Sequence, residues 1–378
     1  MSGLSIIKLL AEYAPYQLHR FAMDLNKQGT YTAVRSWEST EPGSLQGVLN
    51  AYAYVIPIII EKKHINFEDI INIHIACASN VSMLNTVPGK LRNGYSVAFG
   101  IVPETCSEDG LKELVEEHKK YPYQIPSLSD IKGSGDQVMH LNQLLRGVHQ
   151  GFYINSYDGK LTDDEIEEFS ELHSKQIETT CYMELKEKFQ KNLINEIKRI
   201  LENLYTELES TNSDQEKLTV IVKWIQRLER LHPFQDCNCR VFCMVLLNTL
   251  LMQCGFPPTL IDNPNKFDGY SIKELVSAVQ MGFEQTNFLI KYVLKEKSNP
   301  TFFTPFQRPP KESSSGPCID DLMDDEDYLP LNNHWCDIHP IQRDELTNFA
   351  NKLVLVLQSD IKNNEENRLD VKQIEIYQ

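Results

Sequence analysis

Two runs of apolar residues meet across only nine residues, and that junction constrains the fold more than anything else in the chain. In the first run Val220, Ile221, Val222, Trp224, Ile225, Leu228 and Leu231 recur at helical spacing. Ser213, with Glu216 three residues on, is a capping-box signal for its start. The second run, Val241 to Cys254, is apolar almost throughout and ends at Gly255 and the pair Pro257-Pro258. Two core helices running back on one another are therefore expected to flank His232-Pro233-Phe234-Gln235-Asp236-Cys237-Asn238-Cys239-Arg240. That loop holds a general base, a carboxylate, an amide and a guanidinium. A polar loop opening a buried helix suits a phosphate, because free N–H groups and the positive end of the helix dipole face it.

The remaining pattern is also mostly helical. Ser5 to Leu25 carries apolar residues at helical spacing, and Ala51 to Ile60 reads as a buried helix or its end. Phe67 to Ala78 is expected to be a helix capped by Asn66, with Glu68 and Asp69 in its first turn. His74 on that helix reads as a satisfied core histidine. Pro88-Gly89 and Asn93-Gly94 are turn dipeptides, and Tyr95, Val97 and Phe99 alternate with small residues, which predicts a short β-hairpin. Residues 105–191 read as an insertion with its own helices, and Glu165 to Leu204 as a charge-rich helical surface. Ser271 to Tyr292 is a further helix. Residues 299–339, rich in Pro, Ser and Asp, read as an acidic linker. Pro340 suits the first turn of a final helix within 340–378.

Charge narrows the partners. With 37 basic and 53 acidic residues the net charge is -16, which disfavours nucleic acid as the main ligand while leaving a single nucleotide open. Nine cysteines lie without a paired framework, and the chain opens without a signal-like segment. Reduced thiols in a cytoplasmic compartment are expected, and an effector delivered into another cell would have the same composition. The uncharged run Ala51 to Ile60 is too short to span a bilayer.

The nine-residue loop resembles the signature of the Fic family, His-Pro-Phe-x-Asp/Glu-Gly-Asn-Gly-Arg-x-x-Arg. Ile70-Ile71-Asn72-Ile73-His74 and Pro88-Gly89-Lys90-Leu91-Arg92 are similar to that family's helix and hairpin lead-in, and Asp262 to Tyr270, followed by a helix, fits what comes after the signature. The resemblance runs from about Phe67 to Lys295. It implies a mainly α fold with a Fic-like helical core (67–298) behind an N-terminal helical region (1–66), a β-hairpin flap, the helical insertion and a C-terminal helical appendage. It implies transfer of AMP, or a related phosphodiester-linked group, from ATP or another nucleotide donor to a Ser, Thr or Tyr hydroxyl of a target protein. By the same likeness His232 is the general base, Asp236 holds Mg²⁺, Asn238 and the loop backbone at Cys237 and Cys239 cradle phosphates, and Arg240 neutralises their charge. Arg92, Tyr95, Val97 and Phe99 would form the flap that binds the target peptide by strand addition.

Three positions depart from that pattern. Cys237 and Cys239 replace the two glycines, and Cys243 replaces the last arginine. A Cβ in a left-handed position costs about 1–2 kcal/mol. In the family the first glycine position also accepts alanine, with an altered choice of transferred group. Two other readings stay open: a degenerate Fic-like fold that only binds a protein or ligand, and a thiol enzyme in which Cys237 or Cys239 at the helix start pairs with His232. A zinc site on His232, Cys237, Cys239 and Cys243 is a further possibility.

Overall fold

Helix α1 (Gly3–Tyr13) stops where Pro15 removes an amide donor, and the chain continues as a 3₁₀ turn, Pro15–Phe21. The computed structural model describes residues 3–13, 15–24, 40–81, 84, 86–92, 98–120, 123–124, 152–156 and 180–298. The expected linker 299–339, the Pro340 helix, Leu25, Tyr95 and Val97 lie outside the described residues. So does much of the expected insertion.

Helix α2 (Ser44–Ile60) packs against α3 (Phe67–Ala78). Asn66 caps α3 as its residue type predicts: its side chain accepts from the Asp69 amide while the Asp69 carboxylate accepts from the Asn66 amide. After α3 come β1 (Ala98–Ile101), α4 (Glu108–Lys120), β2 (Tyr123–Gln124), β3 (Phe152–Ser156) and the 31-residue α5 (Thr180–Ser210). The strands form an antiparallel sheet of order β1-β3-β2, with Phe99 opposite Ile154 and Tyr123 opposite Ser156. Among the described residues the partner of β1 is therefore β3, inside the insertion, and not a neighbour across Asn93-Gly94. The sheet is a minor annex to a mainly α architecture.

Helix α6 (Asp214–Leu231) begins at the Ser213–Glu216 capping box and packs against α5, α8 (Lys266–Gly269) and α9 (Ile272–Ser298). The apolar run after the loop is not uniform. Arg240–Leu246 is a π-helix that continues as α7 (Leu247–Gln253). A Schellman motif closes α7, with the Gly255 amide bonded to the Met252 carbonyl and the Phe256 amide to that of Leu251. Gly255 takes φ 87, which explains why glycine stands there. The hydrophobic core joins Ile225, Leu228, Leu231, Phe234, Val241, Phe242 and Leu246 with residues of α1, α2, α3 and α5. Both ends of the signature loop thus rise from the best-buried part of the molecule. No described helix is long and apolar enough to cross a membrane.

Candidate active site

His232 ends α6 in a left-handed conformation, φ 48 and ψ 57. This turn takes the backbone out of the helix and into the loop. Ring atom Nδ1 lies 3.0 Å from the Glu229 carbonyl, which accepts a hydrogen bond and so places the proton on Nδ1. Nε2 is left with its lone pair. The side chain is 16% exposed. Burial lowers its pKa to about 4, opposed by the Glu229 carbonyl and aided by the nearby Arg92 charge. At neutral pH the ring is an uncharged base.

The turn at Val87–Lys90 meets this loop from the other side. Gly89 takes φ 77 after Pro88, and the Lys90 amide bonds to the Val87 carbonyl, a type II turn of the kind Pro-Gly predicts. The chain leaving it forms a bridge between Leu91 and Phe234, and the Arg92 amide donates to the Pro233 carbonyl. The guanidinium of Arg92 then donates through Nε to the His232 carbonyl (2.7 Å) and through Nη2 to that of Leu231 (3.3 Å). It supplies a cation to the negative end of α6. Arg92 is 2% exposed, and its charge sits 4.9 Å over the Phe189 ring. This corrects the expected flap role: a target peptide has no access to a buried side chain committed to loop carbonyls. Phe99 lies on β1, at the edge of the described sheet.

His74 sits below the loop. It stacks on Phe234 with centroids 3.8 Å apart, accepts at Nδ1 from the Gly89 amide (2.9 Å), and approaches the Asp236 carbonyl at Nε2 (3.3 Å). Burial depresses its pKa to about 4, against the effect of the Asp236 carbonyl. It is a core histidine, as its apolar face predicts, and it also ties the Pro-Gly turn to the signature loop.

Asp236 accepts the Cys237 amide at Oδ1 (2.6 Å). Asn238 is 2% exposed, with Oδ1 accepting from the Phe234 amide (3.0 Å) and Nδ2 donating to the Phe234 carbonyl (2.9 Å). Both ends of its amide close the loop on itself. The expected phosphate contact through this side chain is replaced by a bracing role. Arg240 pairs with Glu41 from the segment ahead of α2, and its Nη1 lies 3.9 Å from Cys237 Sγ. Nothing in the spacing of the sequence ties Glu41 to this site.

The two cysteines in glycine positions differ. Cys237 has φ 71, the conformation glycine favours, whereas Cys239 has φ -57 and is helical. The Cys237 thiol is held well above its usual pKa by the Cys77 thiol beside it and by burial. That of Cys239 is lowered by contact with Cys243, but burial together with the charges of Glu229, Asp24 and Asp268 raises it on balance to about 11. Burial also pushes Cys243 well up. The expected helix-start depression of these thiols is overturned by the Cys77 thiol beside Cys237, by the acidic groups around Cys239 and by burial of both.

Behind the loop lies a buried acidic group that the sequence reading passed over. Glu229 is 2% exposed, and Cys243 donates to its Oε2 at 3.6 Å. Burial raises its carboxyl well above the usual range, with Asp268 adding to the effect. Burial likewise lifts Asp268 to about 8, against Arg230. A glutamate on an otherwise apolar helical face, three residues before His232, was the available signal.

No family model matches the chain. Over 305 residues it is 30% identical to the phosphocholine transferase AnkX of Legionella pneumophila subsp. pneumophila. That alignment takes in 77% of the chain, which spans only 30% of the length of this curated relative.

Proposed function

We propose that the chain is a Fic-type transferase that moves a phosphodiester-linked group from a nucleotide donor to a Ser, Thr or Tyr hydroxyl of a target protein. The observation that carries this reading is His232, a neutral ring with its proton held on Nδ1 by the Glu229 carbonyl, beside the helix start bearing Arg240. In the reaction the target oxygen attacks phosphorus and the hydroxyl proton passes to Nε2. The bond from phosphorus to the leaving phosphate breaks, releasing CMP from CDP-choline or pyrophosphate from ATP. Arg240 and the first amides of the helix stabilise the charge gathering on the phosphate oxygens.

Phosphocholine is the transferred group we favour over AMP. The likeness to a phosphocholine transferase supports it. So does a side chain at Cys237, the signature position where family members carrying alanine transfer another group. Asp236 is half-buried and oriented by its own loop, which fits one carboxylate holding Mg²⁺ together with donor phosphates. When bound, Mg²⁺ neutralises phosphate charge. The outer edge of β1 is where we place the target peptide, by strand addition. The thiols in the described residues are free, in keeping with action in a reducing compartment.

The test is intact-mass spectrometry of the chain and of added hydroxyl-bearing proteins after incubation with Mg²⁺ and either CDP-choline or ATP. A phosphocholine increment that disappears in His232→Ala is expected. An AMP increment would reassign the donor, and no increment from either would overturn the reading. A second reading, a binding module without catalysis, is favoured by the Arg240–Glu41 pair and by the closed amide of Asn238. A thermal shift with donor but no transfer on any protein would decide for it.

A further inference from the structure

Cys239 and Cys243 depart from the signature pattern singly in sequence, but in space they meet a common partner. Their sulfurs and a carboxylate oxygen of Glu229 all lie within 4.8 Å of one another. Cys243 Sγ is 3.6 Å from Glu229 Oε2. Ligand atoms 2.0–2.3 Å from a tetrahedral ion stand about 3.5 Å apart, so this edge is already at coordination length. We propose that Glu229, Cys239 and Cys243 form a buried site for a thiophilic divalent cation of the Zn²⁺ class.

The chemistry of the donors selects the ion. Two thiolates with one carboxylate suit a borderline-soft tetrahedral cation and leave a fourth position for water. Mg²⁺, which requires oxygen ligands, does not fit. The shell beyond the three ligands adds an independent indication. Asp268 is 5% exposed, and its Oδ1 has no hydrogen-bond partner. Arg230 is fully buried, donates from Nε to the Asp268 carbonyl and from Nη1 to Glu117 Oε2 (2.6 Å), and leaves Nη2 without a partner. Cys243 also lines a small cleft with Arg20, Met23 and Thr259. The ligands come from two elements. Glu229 lies in the last turn of α6, and the cysteines open the π-helix, so a bound ion would fix the separation of His232 from Arg240.

This site does not depend on the transferase reading, and its test needs no activity. The reduced, metal-free full chain is titrated with Co²⁺. A thiolate-to-cobalt charge-transfer band, with the intense visible bands of tetrahedral Co²⁺, is expected to saturate at one ion per chain and to vanish on adding Zn²⁺. The bands should be lost in Cys239→Ser/Cys243→Ser and kept in Cys237→Ala. As a measurement on the unaltered protein, Zn²⁺ should protect Cys239 and Cys243 from alkylation, read by peptide mass, but not Cys106 or Cys254. Absence of the bands in the wild-type protein, bands that survive the double substitution, or equal alkylation with and without Zn²⁺ would overturn the site.

Discussion

At the scale of single residues, the chemistry turns on side chains whose solvent has been removed. An ordinary imidazole changes charge between about pH 5 and pH 8. His232, with its pKa near 4, is already neutral across that range. Transfer is therefore expected to stay level from about pH 8 to pH 5 and to fall only as the ring protonates below that, which a pH–rate profile checks. His232→Ala should lower the rate by about 10²–10⁴-fold with little change in Tm, since the ring acts in chemistry and not in packing. Glu41 competes with the donor for Arg240. Glu41→Gln should tighten donor binding by up to about fivefold, the equivalent of a partly exposed ion pair of up to about 1 kcal/mol, measured by calorimetry. The two cysteines in glycine positions should also separate. Cys237→Gly relieves a left-handed strain of about 1–2 kcal/mol, whereas Cys239→Gly adds about 0.5–1 kcal/mol of helix cost. Denaturant melts should rank Cys239→Gly as the less stable.

At the scale of elements, the site is a junction between the end of α6 and the start of the π-helix, clamped by the Pro-Gly turn. Arg92 holds two carbonyls of that junction. Arg92→Met keeps the volume but removes the donors, so it should destabilise by about 2–3 kcal/mol and lower kcat more than it raises KM. The buried carboxyl of Asp268 makes a pH-dependent contribution whose sign follows from its raised pKa of about 8. The folded form keeps a proton that the unfolded chain has lost above about pH 4, so this contribution weakens as pH rises toward 8. Asp268→Asn keeps the neutral form at every pH. In metal-free protein its advantage over wild type should be near zero at pH 4 and grow to about 1–3 kcal/mol by pH 8, read from unfolding curves. A π-helix in place of the expected α-helix sets the phase of Arg240 and Cys243 relative to α7, and such turns recur at functional sites.

At the scale of the whole molecule, α6 is the hub, in contact with α5, α7, α8, α9 and the π-helix. Amide exchange there should occur only through global unfolding, while α1 and the 3₁₀ turn after it exchange earlier, as hydrogen-exchange mass spectrometry would show. Much of this was legible from sequence because its causes are local. Asn66 and Ser213 cap by bonds to residues three positions away, Gly255 stands where a left-handed closure is needed, and apolar spacing marks α3, α6 and the run after Arg240. The loop residues were legible as a group by type and spacing. What each does there was not, because burial and distant partners decide it. Asn238 turns inward to close its loop, Arg92 leaves the expected flap to hold carbonyls, and Glu41 reaches Arg240 from 199 positions away in sequence. β1 finds its partner in the insertion. The helix-start argument for reactive thiols at Cys237 and Cys239 failed because the Cys77 thiol, the acidic groups around Cys239 and burial together outweigh a dipole at the helix end. Sequence determined where helices begin, where they stop and which functional groups share one loop, since those depend on neighbours within a turn or two. Tertiary structure alone decided which of those groups face solvent, which are spent on bracing, and that Glu229, Cys239 and Cys243 converge, since charge state and contact depend on what the rest of the chain packs against them.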